Sequence, residues 1–321
     1  MLFNSYPFFI LVLATALLYY SDFFRPHQAL LLIASSLVFY GYSQPYLLSL
    51  LLLSASVNAI ASYSVFSTMN KLTKRVSSTL GVFFNLTILA FFKYNGLLDW
   101  YPNNETKGVD LIVGTMVTMP LPIGISFYTF QGISLVLDSF RLTARSSIYI
   151  GSGFKSHYRN TLLYITFFPQ LVAGPIIKAH DFFPQIKIKV TENIDLDYVC
   201  KTLILGYFLK SVIADNLKEQ TFGIAAPYFE FESSLTLVAM LFGYSIQIFS
   251  DFAGYSLIAI GIASIFGYKL PKNFNFPYIS TSITEFWNRW HISLSSWLKE
   301  YLYIGLLGGN RKGNVRTYLN L

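Results

Sequence analysis

Apolar positions in this chain fall into long runs separated by short polar stretches. Phe8–Tyr20, Ala29–Tyr40, Tyr46–Phe66 and Ser77–Phe92 are four such runs, several near the roughly 20 residues a helix needs to cross a hydrocarbon core. Leu111–Leu137 is interrupted by Pro120 and Pro122 and predicts a broken helix whose freed carbonyls need partners or a watery cavity. Thr161–Ile177 holds Pro169, Gly174 and Pro175, with Lys155 and Arg159 before it and Lys178, Lys187 and Lys189 after it. Basic residues on both flanks predict a re-entrant hairpin that enters and leaves on the cytoplasmic side, an ordinary kinked span being the alternative. Val199–Ala214 is a shorter span. Leu235–Phe266 is too long for one upright helix and contains Gln247 and Asp251, four residues apart and so on one face.

Ser282-Ile283-Thr284-Glu285 has the spacing of a capping box and predicts a helix from about Ile283 to Tyr303. At about 100° per residue, Phe286, Trp290, Leu294, Trp297 and Tyr301 share an apolar stripe, and Thr284, Asn288, His291 and Ser295 gather opposite it. Ionisable groups at membrane depth are costly and mark function, which singles out His291. Its imidazole can cycle a proton with a hydroxyl, its tautomer fixed by Asn288 or Ser295; the alternative is a buried structural histidine bonded to one of them. Gln247 and Asp251 either line a substrate path or hold a catalytic group, or else hydrogen-bond between helices. His27, His157 and His180 sit in polar stretches and are assigned to solvent or the interface. No glycine-rich phosphate loop, metal cluster or serine elbow is visible.

Composition supports a polytopic all-α transmembrane protein. Hydrophobic residues make up 54% of the chain and charged residues 12%, which is hard to reconcile with a soluble fold. Met1–Tyr20 lacks a basic leader region and a small-residue cleavage site, so it is expected to be a retained span. Lys71, Lys74 and Arg75 in one loop, and Arg141, Arg145, Lys155 and Arg159 in another, are assigned to the cytoplasm; Asp99, Glu105 and Asp110 lie in the loop between. Alternation then places the N-terminus and Tyr94–Asp110 outside, and Asp215, Glu219, Glu230 and Glu232 suggest a further outside loop, Asp215–Glu232. The net charge of +7 fits attraction to anionic lipid, not to nucleic acid. The single cysteine, Cys200, excludes an internal disulfide. No repeat or soluble domain interrupts residues 1–321, which read as a single membrane-embedded domain.

Several ordered motifs add a resemblance. They are Leu121-Pro122-Ile123-Gly124-Ile125-Ser126-Phe127-Tyr128-Thr129-Phe130-Gln131, Phe167-Phe168-Pro169-Gln170-Leu171-Val172-Ala173-Gly174-Pro175-Ile176, the stretch Tyr244–Ser256, Asn273-Phe274-Asn275-Phe276-Pro277-Tyr278, Phe286–Ser295 and Gly308-Gly309-Asn310-Arg311. Together they resemble the membrane-bound O-acyltransferase (MBOAT) family, in its bacterial branch of alginate O-acetyltransferase and of the protein that exports D-alanine onto teichoic acid. The resemblance implies broken and re-entrant helices and transfer of an acyl group, most simply acetyl, to a polysaccharide such as alginate or to an intermediate carrier. The donor would be an acyl thioester, acetyl-CoA or an acyl carrier, arriving from the cytoplasm as substrate, with no bound cofactor and no metal. A multi-pass location in the inner (plasma) membrane follows, with lipid and a periplasmic or extracellular acyltransferase as partners. His291 would be the catalytic base, supported by Asn288, Arg289, Trp290 and Ser295, with Gln131, Gln247, Asp251 and Tyr255 along the tunnel or substrate path.

Three departures stand out. The family's Gly-Tyr-Ser-Asp reads Gly254-Tyr255-Ser256-Leu257, and Ile304-Gly305-Leu306-Leu307-Gly308-Gly309 is one residue longer than usual. Family members also carry a second essential histidine, and none follows His291 here. Thr317–Leu321 looks like the start of another span, so the chain is expected to be an incomplete or naturally truncated form of a longer enzyme. A truncated inactive paralogue acting as a structural partner is one alternative. A transporter is another, although related hydropathy in two halves is not visible.

Overall fold

The structure is a computed structural model and describes residues 1–94, 121–141, 153–306 and 308. Among these residues there is no β-strand; the fold is all-α. Two compact units are present. One comprises Met1–Leu31, Ala173–Ile177 and Ile188–Leu321, the other Leu32–Val172 and Lys178–Lys187.

The second unit is built from most of α1's successor α2 (Gln28–Ser43), with α3 (Leu48–Ser67), α4 (Lys71–Tyr94), α5 (Ile125–Arg141) and α6 (Phe154–Thr166); α1 itself is Tyr6–Tyr19. Small residues let α3, α4 and α5 approach closely, as expected where lipid supplies no hydrophobic drive between helices. A Cβ on Gly81 would lie 2.9 Å from Ala61 Cβ and 3.2 Å from Val136, and one on Gly132 would collide with the Asn58 amide. Asn58 and Asn85 are fully buried and exchange amide bonds, Nδ2 to Oδ1, at 3.1 and 2.7 Å. Their remaining protons reach the Ser54 and Gly81 carbonyls at 2.9 and 2.8 Å, so no amide proton is stranded away from water.

Of the first proline-marked segment, residues 111–120 lie outside the described residues. The helix α5 starts only at Ile125, after Pro122 and after Gly124, whose φ of 77° no β-carbon favours and whose Cα faces the Leu171 carbonyl. Thr161–Ile177 is not one helix. α6 ends at Thr166, Phe167 turns the chain, and Phe168–Leu171 forms a single helical turn whose Phe168 N–H donates to Ser36 Oγ at 3.1 Å.

Several expectations about charged stretches need correction. Lys71, Lys74 and Arg75 are not in a loop but in the first turns of α4, where Asn70 Oδ1 accepts the Leu72 N–H at 2.9 Å and starts the helix. Lys155 and Arg159 lie in α6, and Arg141 closes α5. Arg145, Asp99, Glu105 and Asp110 are outside the described residues. His157 is not at a polar surface: it is buried on the face of α6 that packs on α3, its Nε2 2.8 Å from Ser62 Oγ. His180 Nδ1 lies 2.9 Å from the Asp138 carboxylate. His27 is exposed in a short turn, as expected.

In the first unit, α7 (Leu196–Tyr207) continues as a π-helical segment, Phe208–Ala214, and then as α8 (Asp215–Gln220). The loop expected from Asp215 therefore begins only after Gln220. α9 (Ser234–Ile265) is one uninterrupted helix of 32 residues, started by Ser233 Oγ accepting the Thr236 N–H. At 1.5 Å per residue it is about 48 Å long and exceeds a hydrocarbon core of about 30 Å. α7 and α9 touch backbone to backbone. A Cβ on Gly254 would lie 2.8 Å from Lys210 N and 2.9 Å from Gly206 O, and one on Gly206 would lie 2.9 Å from Ile258 N.

Pro45–Ser67, Lys71–Tyr94 and Ser234–Ile265 are long and apolar enough to cross a membrane. Their exposed side chains include Leu53, Leu80, Phe83, Val238, Leu241 and Phe242, an outer surface suited to lipid. The glycine crossing yields a prediction. Gly254→Leu should destabilise the detergent-solubilised protein by about 1–3 kcal/mol through overpacking, read as a lower thermal midpoint. An unchanged midpoint would mean that α7 and α9 do not meet at Gly206 and Gly254.

Candidate functional site

The segment around His291 starts as expected and then departs from a continuous helix. Ser282 Oγ accepts the Glu285 N–H at 3.1 Å and caps α10 (Ile283–Arg289). The reciprocal half of the capping box is shifted by one residue, because Glu285 Oε2 takes the Thr281 N–H and hydroxyl at 2.9 and 3.0 Å. Its Oε1 takes Arg289, with Nη2 at 2.8 Å, and Arg289 Nη1 donates to the Asn275 carbonyl at 3.2 Å. Arg289 thus ties helix to loop.

α10 ends there. Trp290 is extended, His291 adopts the left-handed conformation with φ 45° and ψ 50°, and α11 (Ile292–Trp297) leads into a π-helical segment, Leu298–Leu306. The single helix expected from Ile283 to Tyr303 is therefore broken at its histidine. A non-glycine residue in this region costs roughly 1–2 kcal/mol, and its neighbours must offset that. The chain at Asn273–Asn275 runs alongside: Asn275 N–H donates to Arg289 O at 3.0 Å and Ile292 N–H to Asn273 O at 2.9 Å. One bond lies before the histidine and one after it.

Side chains complete the bracket. Asn273 Nδ2 donates to Ser256 Oγ at 2.9 Å, and Ser293 donates its hydroxyl proton to Asn273 Oδ1 while accepting the Ile176 N–H at 3.0 Å. All three side chains are buried. The His291 ring meets the edge of Phe252 with centroids 4.7 Å apart, and its Nε2 is enclosed with no hydrogen-bond partner among the described residues. Neither Asn288 nor Ser295 bonds to the imidazole: Asn288 is exposed, and Ser295 reaches His291 only through its backbone, N–H to O at 3.1 Å. The break turns the Asn288 side of the segment away from the imidazole, and on the other side the helical turn from His291 to Ser295 is made by backbone alone.

Trp290 belongs to an aromatic group with Phe274 at 5.0 Å, Phe286 at 5.5 Å and Phe249 at 6.2 Å between centroids. Trp297 stacks instead on Tyr301, at 5.2 Å. The continuous apolar stripe is therefore split into two packing groups. What remains is an imidazole in an aromatic, hydrogen-bond-poor setting.

The expected path residues have other engagements. Gln247 Oε1 accepts the hydroxyl of Thr221, the residue that caps α8, so its bond ties α9 to the end of α8. Asp251 pairs with Lys210, whose Nζ lies 2.6 Å from its carboxylate and 2.7 Å from that of Asp215. Tyr255 sets its ring 5.1 Å from the same ammonium and 5.7 Å from the Phe3 ring. In an α-helix, residues five apart point about 140° away from each other. The π-helical turn brings Lys210 and Asp215 onto one side. Gln131 belongs to the other unit, where its Nε2 donates to Tyr164 O at 3.1 Å and its Oε1 is buried without a partner among the described residues.

Asn273, Ser256, Ser293 and Lys210 were not singled out from sequence. Lys210 had a signal, a lysine in an apolar run with an aspartate five residues on. Asn273 lay in one of the motifs, but nothing in a separation of about 20 residues announces its bonds to Ile292 and Ser293.

Helices long and apolar enough to cross a membrane, with a half-buried histidine at a break between two short helices, define a helical membrane protein. The chain belongs to the membrane-bound O-acyltransferase family, MBOAT, which matches residues 36–321. It is 36% identical to the peptidoglycan O-acetyltransferase of Helicobacter pylori over 318 residues, covering 90% of this chain and 58% of that protein. It is also 36% identical to the probable alginate O-acetylase AlgI of Azotobacter vinelandii, covering 100% of this chain and 62% of the relative. The teichoic acid D-alanyltransferase of Bacillus subtilis is 34% identical over 57% of this chain and 45% of its own length. The chain thus spans about three-fifths of the length of the first two relatives.

The ion cluster gives an ordered prediction. Lys210→Met strands two neighbouring carboxylates, whereas Asp251→Asn leaves Lys210 paired with Asp215. The lysine substitution should therefore lower the thermal midpoint in detergent more than the aspartate one. The reverse order would show that Lys210 does not hold both carboxylates.

Proposed function

We propose that this chain carries the histidine site of a membrane O-acetyltransferase acting on an extracellular polysaccharide or an intermediate carrier. The observation that carries the reading is the enclosed, unpartnered Nε2 of His291 in a chain of this family. A buried polar atom without a partner calls for a role, and among those in the described residues, Gln131 Oε1 included, the imidazole nitrogen is the one suited to exchange a proton near neutral pH. Proton exchange with a substrate hydroxyl supplies one.

In this reading an acyl thioester arrives from the cytoplasm and the acceptor hydroxyl from the opposite face. Nε2 takes the hydroxyl proton as the oxygen attacks the thioester carbonyl; the C–S bond then breaks, and the departing thiolate recovers a proton from the imidazolium. Phe252 against the imidazole shields that side of the ring from competing water. Acetyl is favoured over D-alanyl because the peptidoglycan O-acetyltransferase and alginate O-acetylase relatives align along 90–100% of this chain, against 57% for the D-alanyltransferase. The membrane is taken to be the inner membrane, the N-terminus outside, and the broken Thr161–Ile177 segment a re-entrant one lining the donor's approach. A periplasmic or extracellular acyltransferase is the partner expected to complete transfer to the polymer.

Two measurements test this. With substitutions made in the chromosomal gene, His291→Ala should lower O-acetylation by roughly 10²–10⁴-fold if the imidazole is a general acid or base. His291→Asn, whose side chain tolerates the left-handed backbone, should lose as much at equal membrane levels. Near-full activity in both would sink the assignment. For orientation, Lys155→Cys and Lys187→Cys should both react with a membrane-impermeant thiol reagent only from the cytoplasmic face. Labelling from opposite faces would make Thr161–Ile177 a true crossing.

A further inference from the structure

We propose that Asn273 is a positioning residue for His291, locking the histidine in its left-handed conformation and so aiming the imidazole. The proposal rests on the reading of His291 as the proton-transfer group. Three bonds converge on this asparagine. Its carbonyl accepts the Ile292 N–H at 2.9 Å, its Oδ1 accepts the Ser293 hydroxyl, and its Nδ2 donates to Ser256 Oγ at 2.9 Å. Two of them fix the residues that immediately follow His291. The third fixes Asn273 itself to α9, the helix whose Phe252 packs on the His291 ring.

The chemistry of the side chain suits this task. A primary amide presents a donor and an acceptor at once, and here one end grips α9 and the other grips α11. Ser293 extends the hold by accepting the Ile176 N–H at 3.0 Å, in the stretch that contains Gly174 and Pro175. His291 makes no side-chain hydrogen bond among the described residues, so its ring direction depends on its backbone and on packing such as that of Phe252. An untethered imidazole whose backbone is left free to relax to an ordinary helical conformation would turn away from Phe252. A displacement of about 1 Å at a reacting group costs on the order of 10²-fold in rate.

The test uses membranes from the native host carrying chromosomal substitutions, with radiolabelled acetyl-CoA as the probe donor. Asn273→Ala is expected to lower kcat roughly 10²-fold and leave KM for acetyl-CoA unchanged. Combined with His291→Ala it should lose no more than His291→Ala alone, because the two act as one unit. Multiplying losses, an unchanged kcat, or a change confined to KM would each overturn the proposal. A second readout does not depend on turnover. Diethylpyrocarbonate should modify His291, followed by peptide mass, faster in Asn273→Ala than in the unaltered protein, and equal rates would also overturn it. This separates the two readings: if His291→Ala keeps its activity the acyltransfer role of His291 fails, while the modification rate still judges Asn273. Should Asn273→Ala not accumulate, Ser293→Ala keeps the Asn273 carbonyl bond to Ile292 and should show the same kcat loss in weaker form. No loss there counts against the clamp.

Discussion

Water is absent from the middle of a bilayer, so every backbone group released by a break in a helix must find a partner within the protein. That constraint explains more of this molecule than any single contact. His291 stands at such a break, and the chain at Asn273–Asn275 supplies the partners, one hydrogen bond ahead of it and one behind. The break gives the imidazole an orientation that a regular helix face would not. The bracket then gives the backbone groups beside the break their partners.

The same accounting runs through the rest of the described chain. Phe168 gives its N–H to Ser36, and Asn58 and Asn85 satisfy each other as well as two carbonyls. α9 serves two neighbourhoods from one helix. Phe252 and Ser256 work toward the histidine, while Asp251 and Tyr255 engage Lys210. Residues adjacent in sequence thus belong to different networks, and nearness along α9 is a poor guide to role.

Much of the fold was legible because lipid imposes a crude, strong pattern. Apolar runs gave the helices α1 to α4 and α9 nearly in place, Pro122 lies just ahead of the start of α5, and Pro169 and Pro175 marked a segment that is interrupted. Charged residues misled where a helix begins or ends inside a polar stretch: Lys71 to Arg75 open α4, and Asp215 opens α8. His157 misled for a related reason, since its charged neighbours Lys155 and Arg159 are exposed while His157, Asn160 and Thr161 are buried. At the site, the cap at Ser282 was readable and the break eight residues later was not. Left-handed positions announce themselves through glycine or asparagine, and here the position is a histidine held by a distant loop. Contacts across about 20 residues leave no periodic trace.

The π-helical turn at Phe208–Ala214 has a consequence for how this helix tolerates change. Such a turn behaves as one extra residue slipped into a regular helix, so it resets the phase of everything that follows. Residues before it show α9 the face set by Gly206; residues after it show a face that a plain α-helix would have turned elsewhere. Length is therefore as much a part of the information here as residue identity. Chemically varied side chains can occupy Phe208 or Val212 without disturbing the register, whereas loss of a single position between Tyr207 and Asp215 would rotate α8 away from its ionic partner while leaving composition almost untouched.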